Sequence, residues 1–235
     1  MLQLKPEGLD LADVASRPVV VCGRQLIADS SGALYWPGER ALLVADLELA
    51  DGSAGGAVRR VLTRLAEAMD RYEPARVIVI DAGSSAGPIA AAQSTHMSAE
   101  DLQILRILQE DRDWIWVTGD ADRRAAPQLG GSSHGGLEIG GIALRARPTP
   151  GWVSHEIAAA MRPAAHLSMY GYSLRRACFV GNRHRLLMPA FGGPAGGTNV
   201  LDPAFRPLLG DDGMAVWMLG QEGLYPVATR LLAED

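Results

Sequence analysis

The sequence predicts an α/β fold in which a strand–helix–strand–helix–strand unit is followed by a mostly antiparallel set of short strands. Three apolar runs indicate the strands of the first unit: Ala41–Ala45, Arg76–Ile80 and residues 114–117. The first run contains no polar side chain, which is typical of a strand buried on both faces of its sheet. Segments of helical periodicity separate the three runs, and this alternation predicts parallel strands joined by helices.

Shorter elements surround this unit. Three strands are predicted before it, at residues 18–22, 25–28 and 33–36. The first helix is predicted over Ala57–Tyr72, because its apolar side chains recur on one face and its arginines on the other, and Pro74 ends it. Ser98 and Asp101 have the spacing of a capping box, which predicts a second helix through Glu110.

The second half contains short strand candidates separated by turns of glycine, proline, asparagine and aspartate. These candidates are Leu137–Ile139, Ile142–Arg145 and residues 174–180, 185–188, 214–218 and 224–228. Neither an internal repeat nor a linker divides the chain. We therefore predict a single domain over residues 1–235.

The composition excludes several classes of protein. A net charge of −5 argues against a protein that coats nucleic acid by bulk electrostatics. No apolar stretch approaches the roughly 18 residues that cross a bilayer, and the first residues lack a signal-peptide core, so we expect a cytoplasmic protein without membrane contact.

Cys22 and Cys178 lie in apolar runs, as buried free thiols do. Trp114 and Trp116 are expected in the core rather than as platforms for nucleic-acid bases.

Acidic side chains follow each of the three central strands. Asp46 and Glu48 come after the first strand, Asp81 after the second, and Asp120 and Asp122 after the third. Open α/β sheets bind their ligands at the carboxyl ends of the strands. We therefore expect these carboxylates to form one candidate site.

Several stretches of the chain resemble the calcineurin-like metallophosphoesterases, most closely the bacterial ligase-associated DNA-damage-response endonucleases. In chain order they are LYWPGERALLVADLEL, RDWIWVTGDAD, RPTPG with HEIAA, RRACFV and LMPAFGGPAGGTNVLDPAF. The resemblance implies a four-layer α/β/β/α sandwich with two metal ions at the strand ends and hydrolysis of phosphodiesters. It also implies a setting in DNA repair, with DNA or DNA-repair proteins as partners.

The metal-binding motifs of that family are almost entirely absent. The resemblance places the histidine of the first motif at Glu48, the bridging aspartate of the second at Ala82 and the catalytic histidine of the third at Ala121. The family's lone histidine falls at Ala146. Its final pair of histidines falls within residues 159–162, whose sequence AAMR contains none.

Of the implied ligands only Asp46 is unchanged, and Asp120 stands where the family has asparagine. Two metals about 3.5–4 Å apart need a bridging ligand and several donors each, and this set does not supply them. Three arginines fall near the lost ligands: Arg145, Arg147 and Arg162.

Three interpretations of this region remain open. In the first, arginine–carboxylate pairs fill the former metal cavity. In the second, the three arginines bind a phosphate-bearing ligand. The third is a residual site for a single divalent cation, Mg²⁺ or Mn²⁺, at Asp46, Glu48, Asp120 and Asp122.

We therefore predict a degenerate metallophosphoesterase-like protein, without dinuclear-metal catalysis and without a resident cofactor, that acts as a binding or partner protein. The alternative is a remodelled metal-dependent phosphoesterase or DNA endonuclease that uses the carboxylate-rich site. The histidines, at positions 96, 134, 155, 166 and 184, lack ligand spacing, and we expect them in loops or at the surface. The sequence leaves the oligomeric state open. It also leaves open the conformation of residues 155–163, where helical propensity competes with the strand and turn of the resembling family.

Overall fold

The computed structural model describes residues 15–49, 56–81, 97–119, 127–169, 172–192, 197–210, 213–221 and 223–235. Within these ranges the chain forms two mixed β-sheets and three α-helices. The helices are α1 (Ala57–Tyr72), α2 (Ala99–Gln109) and the single turn α3 (Arg206–Leu209). In this described part, no helix is long and apolar enough to span a membrane.

The first sheet contains seven strands that lie side by side in chain order. They are β1 (Ser16–Val21), β2 (Arg24–Asp29), β3 (Leu34–Trp36), β4 (Ala41–Ala45), β5 (Arg76–Ile80), β6 (Asp113–Val117) and β7 (Ser132–His134). Strands β1 to β4 pair antiparallel, whereas β4 to β7 pair parallel. The predicted strand–helix–strand–helix–strand unit is confirmed, with α1 between β4 and β5 and α2 between β5 and β6. Strand β7 was not predicted, because its Ser-Ser-His sequence has no apolar pattern.

The second sheet has the strand order β14-β11-β12-β13-β10-β9-β8, and β15 and β16 extend it from β12. Its strands are β8 (Leu137–Ile139), β9 (Ile142–Arg145), β10 (Glu156–Ala158), β11 (Pro163–Met169), β12 (Tyr172–Gly181), β13 (Arg185–Leu187), β14 (Thr198–Asn199), β15 (Ala215–Leu219) and β16 (Leu224–Val227).

The structure corrects the sequence prediction for this second sheet in two respects. Strands β10, β11 and β14 were not predicted. Alanine in β10 and β11, and proline in β11, weaken the strand signal, and β14 has only two residues. Strand β10 is also parallel to both of its neighbours, β9 and β13, and β11 is parallel to β14. The remaining pairings are antiparallel, as expected.

Three clusters of buried side chains hold these elements together. The first contains residues of both sheets, among them Leu43, Ile80, Leu144, Ile157 and Phe179. The second joins the first sheet to α1 and α2, and includes Leu42, Val79, Leu65 and Leu105. The third joins the second sheet to the segment around α3, and includes Val180, Met218, Phe205 and Leu209. One face of the first sheet therefore packs on helices and the other on the second sheet. Trp114, Trp116 and the two free cysteines are buried, as predicted.

A buried ion pair fixes β10 within the second sheet. The Arg185 side chain is fully buried, and its Nε donates to Glu156 Oε2 at 2.7 Å. The same guanidinium donates to the carbonyl oxygens of Thr149 at 2.6 Å and Leu208 at 2.7 Å. The Thr149 hydroxyl donates to Glu156 Oε1 at 2.6 Å. This network connects β10 with the loop before it and with α3. It therefore fixes the position of β10, from which the chain continues.

We expect Arg185→Met to lower the free energy of unfolding by about 3–5 kcal/mol, because Glu156 then loses its buried partner and keeps only the half-exposed Arg145, at 3.6 Å. Urea denaturation measures this change. The matched control is Arg183→Met, at an exposed position in the preceding turn, which should change the free energy by less than about 0.5 kcal/mol. Equal effects of the two substitutions would contradict a structural role for the pair.

Candidate functional site

The candidate site lies at the carboxyl ends of β4, β5 and β6. The Asp46 backbone N–H donates to the Ile80 carbonyl oxygen at 2.8 Å, and the Asp81 N–H donates to the Val117 carbonyl oxygen at 2.9 Å. These bonds hold the three strand ends side by side, as the sequence predicted. Asp46 and Asp81 are both buried, with 2% and 0% of their surface exposed.

A single arginine side chain bridges two of the predicted carboxylates. Arg162 Nε donates to Asp46 Oδ2 at 3.3 Å, and Arg162 Nη2 donates to Glu48 Oε1, also at 3.3 Å. The Asp46 side chain is 3% exposed, whereas those of Arg162 and Glu48 are about one third exposed. A buried carboxylate is costly unless a cation compensates it, and the guanidinium provides that compensation from the solvent side.

The local backbone after β10 brings Arg162 to this position. The Ala159 N–H donates to the Arg145 carbonyl oxygen at 3.2 Å, so the chain stays hydrogen-bonded to β9 for one residue beyond β10. Ala160 and Arg162 then adopt left-handed backbone conformations, with φ of 70° and 43°. Residues 155–163 therefore form a strand and a turn rather than a helix, which decides the point that the sequence left open.

The family resemblance assigns histidines to the positions of Ala146, Ala160 and Arg162. Ala146 and the neighbouring Ala159 are buried, with 1% and 0% exposure, and both belong to the core cluster shared by the two sheets. Gly119, after β6, has a left-handed φ of 75°, and a Cβ placed on it would lie 2.8 Å from Ala146 Cβ. The ends of β6 and β9 thus pack directly against each other through a glycine and a methyl group.

The three predicted phosphate-binding arginines have different surroundings. Arg162 contacts Asp46 and Glu48, as described above. Arg145 Nε lies 3.6 Å from Glu156 Oε1, and about half of its side chain is exposed. Arg147 is exposed. The guanidinium groups of Arg162 and Arg145 are thus directed at carboxylates of this chain, at two different places.

The structure does not describe every predicted ligand of this site. Asp120 and Asp122 lie outside the described residues. The His166 ring contacts the Glu234 carbonyl oxygen at 2.8 Å and the Ser173 hydroxyl at 2.9 Å. Over the ranges that the structure describes, no group of three or more histidine, cysteine, aspartate or glutamate side chains could hold a metal ion.

The described donor set does not fit a dinuclear metal centre. Such a centre needs a bridging ligand and several donors for each ion, with imidazole nitrogen among the usual ligands of transition metals. At this site the guanidinium of Arg162 contacts both Asp46 and Glu48, and its charge opposes a divalent cation on the same oxygens. Alanine side chains stand at two of the assigned histidine positions.

The sequence did not predict the buried ion pair that fixes β10, the strand that precedes Arg162. It missed Glu156 and Arg185, although each stands at the edge of an apolar run, in EIA and RLL. A charged residue at such a position is buried only if it is paired, so the two runs together carried a usable signal. Arginine–carboxylate pairing at this site was one of the three interpretations of the sequence, but the particular pairing of Arg162 with Asp46 and Glu48 was not predicted, because it depends on the left-handed turn.

Comparison with known proteins supplies a fold relative. No protein-family model and no curated protein matches this chain. Among solved structures, the chain is similar to the crystal structure of the Pseudomonas putida nuclease MPE, with a TM-score of 0.67 and 22% sequence identity. The alignment covers 90% of this chain and 100% of the nuclease. The likeness shows that the two proteins share an α/β fold.

We expect Arg162→Met to lower the free energy of unfolding by about 1–3 kcal/mol, because Asp46 loses the cation that compensates its burial. Chemical denaturation of Arg162→Met, Asp46→Asn and the double variant forms a double-mutant cycle. The double variant should recover at least about 1 kcal/mol relative to the sum of the single effects. Additive effects would contradict the bridge.

Proposed function

We propose that this chain is a non-catalytic protein built on the metallophosphoesterase fold, and that it acts as a binding or partner protein. The observation that carries the proposal is the position of the Arg162 guanidinium, 3.3 Å from carboxylate oxygens of both Asp46 and Glu48. Asp46 is the one ligand position that matches the resembling family. In this chain an arginine supplies positive charge to that carboxylate.

The chemistry of arginine supports this proposal. A metal ion can polarise a phosphoryl oxygen and lower the pKa of a bound water to about 7. A guanidinium stays protonated at all physiological pH values, so it cannot serve as a general base, and it does not bind water as a metal does. The position of the family's leaving-group acid is Ala121, which has no proton to give. These substitutions remove the chemistry that the resembling family uses to activate water and to protonate the leaving group, which supports a non-catalytic role.

We further propose that the layering is the four-layer α/β/β/α sandwich of the calcineurin-like metallophosphoesterases, close to the ligase-associated branch. The three core clusters, which join helices, first sheet, second sheet and the α3 segment, support this arrangement. A shared fold with a nuclease supports it as well. A setting in DNA repair follows from the resemblance of the sequence, and we propose it as the context in which partners should be sought.

The second candidate is a remodelled phosphoesterase or endonuclease that uses one divalent cation. The observation in its favour is that Asp46 and Glu48 both contact one guanidinium, so the two carboxylates face the same positive charge. A metal ion at these oxygens requires Arg162 to leave them. This candidate therefore predicts metal binding that competes with the arginine.

The two candidates make opposite predictions for metal binding. For protein purified with Mn²⁺ supplied, we expect less than roughly a tenth of an equivalent of metal by elemental analysis, because a bridging guanidinium and few donors leave little affinity. We also expect no Mn²⁺-dependent hydrolysis of bis(p-nitrophenyl) phosphate above the rate of the Asp46→Asn variant.

Arg162→Ala provides the matched comparison. If the guanidinium is what excludes the metal, Arg162→Ala should bind Mn²⁺ more tightly than the native chain, and Arg162→Ala with Asp46→Asn should lose that gain. About one equivalent of metal in the native protein, together with chelator-sensitive turnover that Asp46→Asn abolishes, would establish the second candidate and overturn the first.

A further inference from the structure

An exposed apolar groove crosses the outer face of the second sheet at β12, β15 and β16. Leu174, Tyr225 and Leu231 line it, and their exposures are 41%, 44% and 42%. Leu167 faces Leu174 directly in the pairing of β11 with β12. The groove has a volume of about 590 Å³. Single exposed apolar side chains are ordinary, whereas several grouped in one depression are typical of a binding surface.

Arg176 connects this groove to a second, charged depression. It lies two residues after Leu174, on the same side of β12, and it lines both cavities. The second cavity has a volume of about 430 Å³ and is also lined by Arg64 and Arg71 of α1. The two cavities share the turn between β15 and β16, so they form one continuous surface, which we term the β12–β16 groove.

Among the residues that the structure describes, the charges that line the second cavity are not balanced. They are the carboxylates of Asp29 and Glu67 and the three guanidinium groups of Arg64, Arg71 and Arg176. Asp29 is fully buried and already accepts from Arg71 Nη1 at 2.5 Å and from the Tyr72 hydroxyl at 2.7 Å. Asp29 therefore compensates the charge of Arg71. The described charges that remain are those of Arg64, Arg176 and Glu67, which leave one net positive charge, opposite in sign to the chain as a whole.

We propose that the β12–β16 groove binds an acidic and apolar peptide segment of a partner protein. A free inorganic anion would satisfy the arginines and leave the leucine and tyrosine side chains exposed. A purely apolar ligand would cover those side chains and bury guanidinium groups without compensation. A segment that presents aliphatic or aromatic side chains next to carboxylates matches both halves. This surface is separate from Asp46 and Arg162, so the inference does not depend on whether that site binds a metal.

The experiment is a selection of displayed random decapeptides on the full-length chain. We expect enriched peptides to combine leucine or phenylalanine with neighbouring aspartate or glutamate. A fluorescent synthetic copy of the most enriched peptide should bind with an affinity that falls as salt rises. Its Kd should increase at least about tenfold in Arg176→Glu and in Leu174→Ser.

Matched controls use exposed residues elsewhere on the chain. Arg183→Glu and Ile107→Ser should leave the Kd within about twofold of the native value, and thermal unfolding should show that all four variants remain folded. Four outcomes would overturn the inference: no enrichment, enriched peptides without acidic side chains, equal binding to Arg176→Glu, and dimerisation in sedimentation that Leu174→Ser abolishes. The last outcome would assign the groove to a second copy of this chain.

Discussion

The carboxylate of Asp46 is buried at the end of a parallel strand, and the guanidinium of Arg162 compensates its charge. This compensation matters because an ionised carboxylate removed from water loses several kcal/mol of solvation. The guanidinium also contacts Glu48, so one side chain compensates two acidic groups. The turn after β10 brings the arginine to this position.

The buried pair at the start of β10 helps to position Arg162, which lies further along the same segment of the chain. Arg185 and Glu156 form the pair that anchors the start of β10, and Arg162 lies six residues further along the chain. Between them, parallel pairing on both sides keeps β10 in place, and the left-handed residues turn the chain towards the first sheet. The position of Arg162 thus depends on a network that does not itself reach the candidate site. Removing Arg185 should therefore disturb both the position of β10 and that of Arg162.

Much of the fold was predictable from sequence, since the runs at β4, β5 and β6 are long, apolar and separated by clear helical segments. Their acidic termini could likewise be placed at one edge of the sheet. Strands β10 and β11 were not predictable, because Glu156–Ala158 and Pro163–Met169 form strands through pairing with neighbours rather than through their own propensity. Arginine–carboxylate pairing near the candidate site was among the interpretations of the sequence, but the partners of Arg162 could not be assigned. The pairing depends on two left-handed residues, Ala160 and Arg162, of types that rarely adopt this conformation.

The contact between Gly119 and Ala146 bears on how such a protein can change over evolutionary time. A histidine placed at Ala146 would need space beside Gly119, where a Cβ on the glycine would already lie 2.8 Å from the alanine Cβ. It would also join a site whose Asp46 carboxylate contacts the Arg162 guanidinium. If the chain descends from a metal-binding relative, as the proposed function implies, this single substitution would cost packing without creating a metal site. Several substitutions made together would then be required.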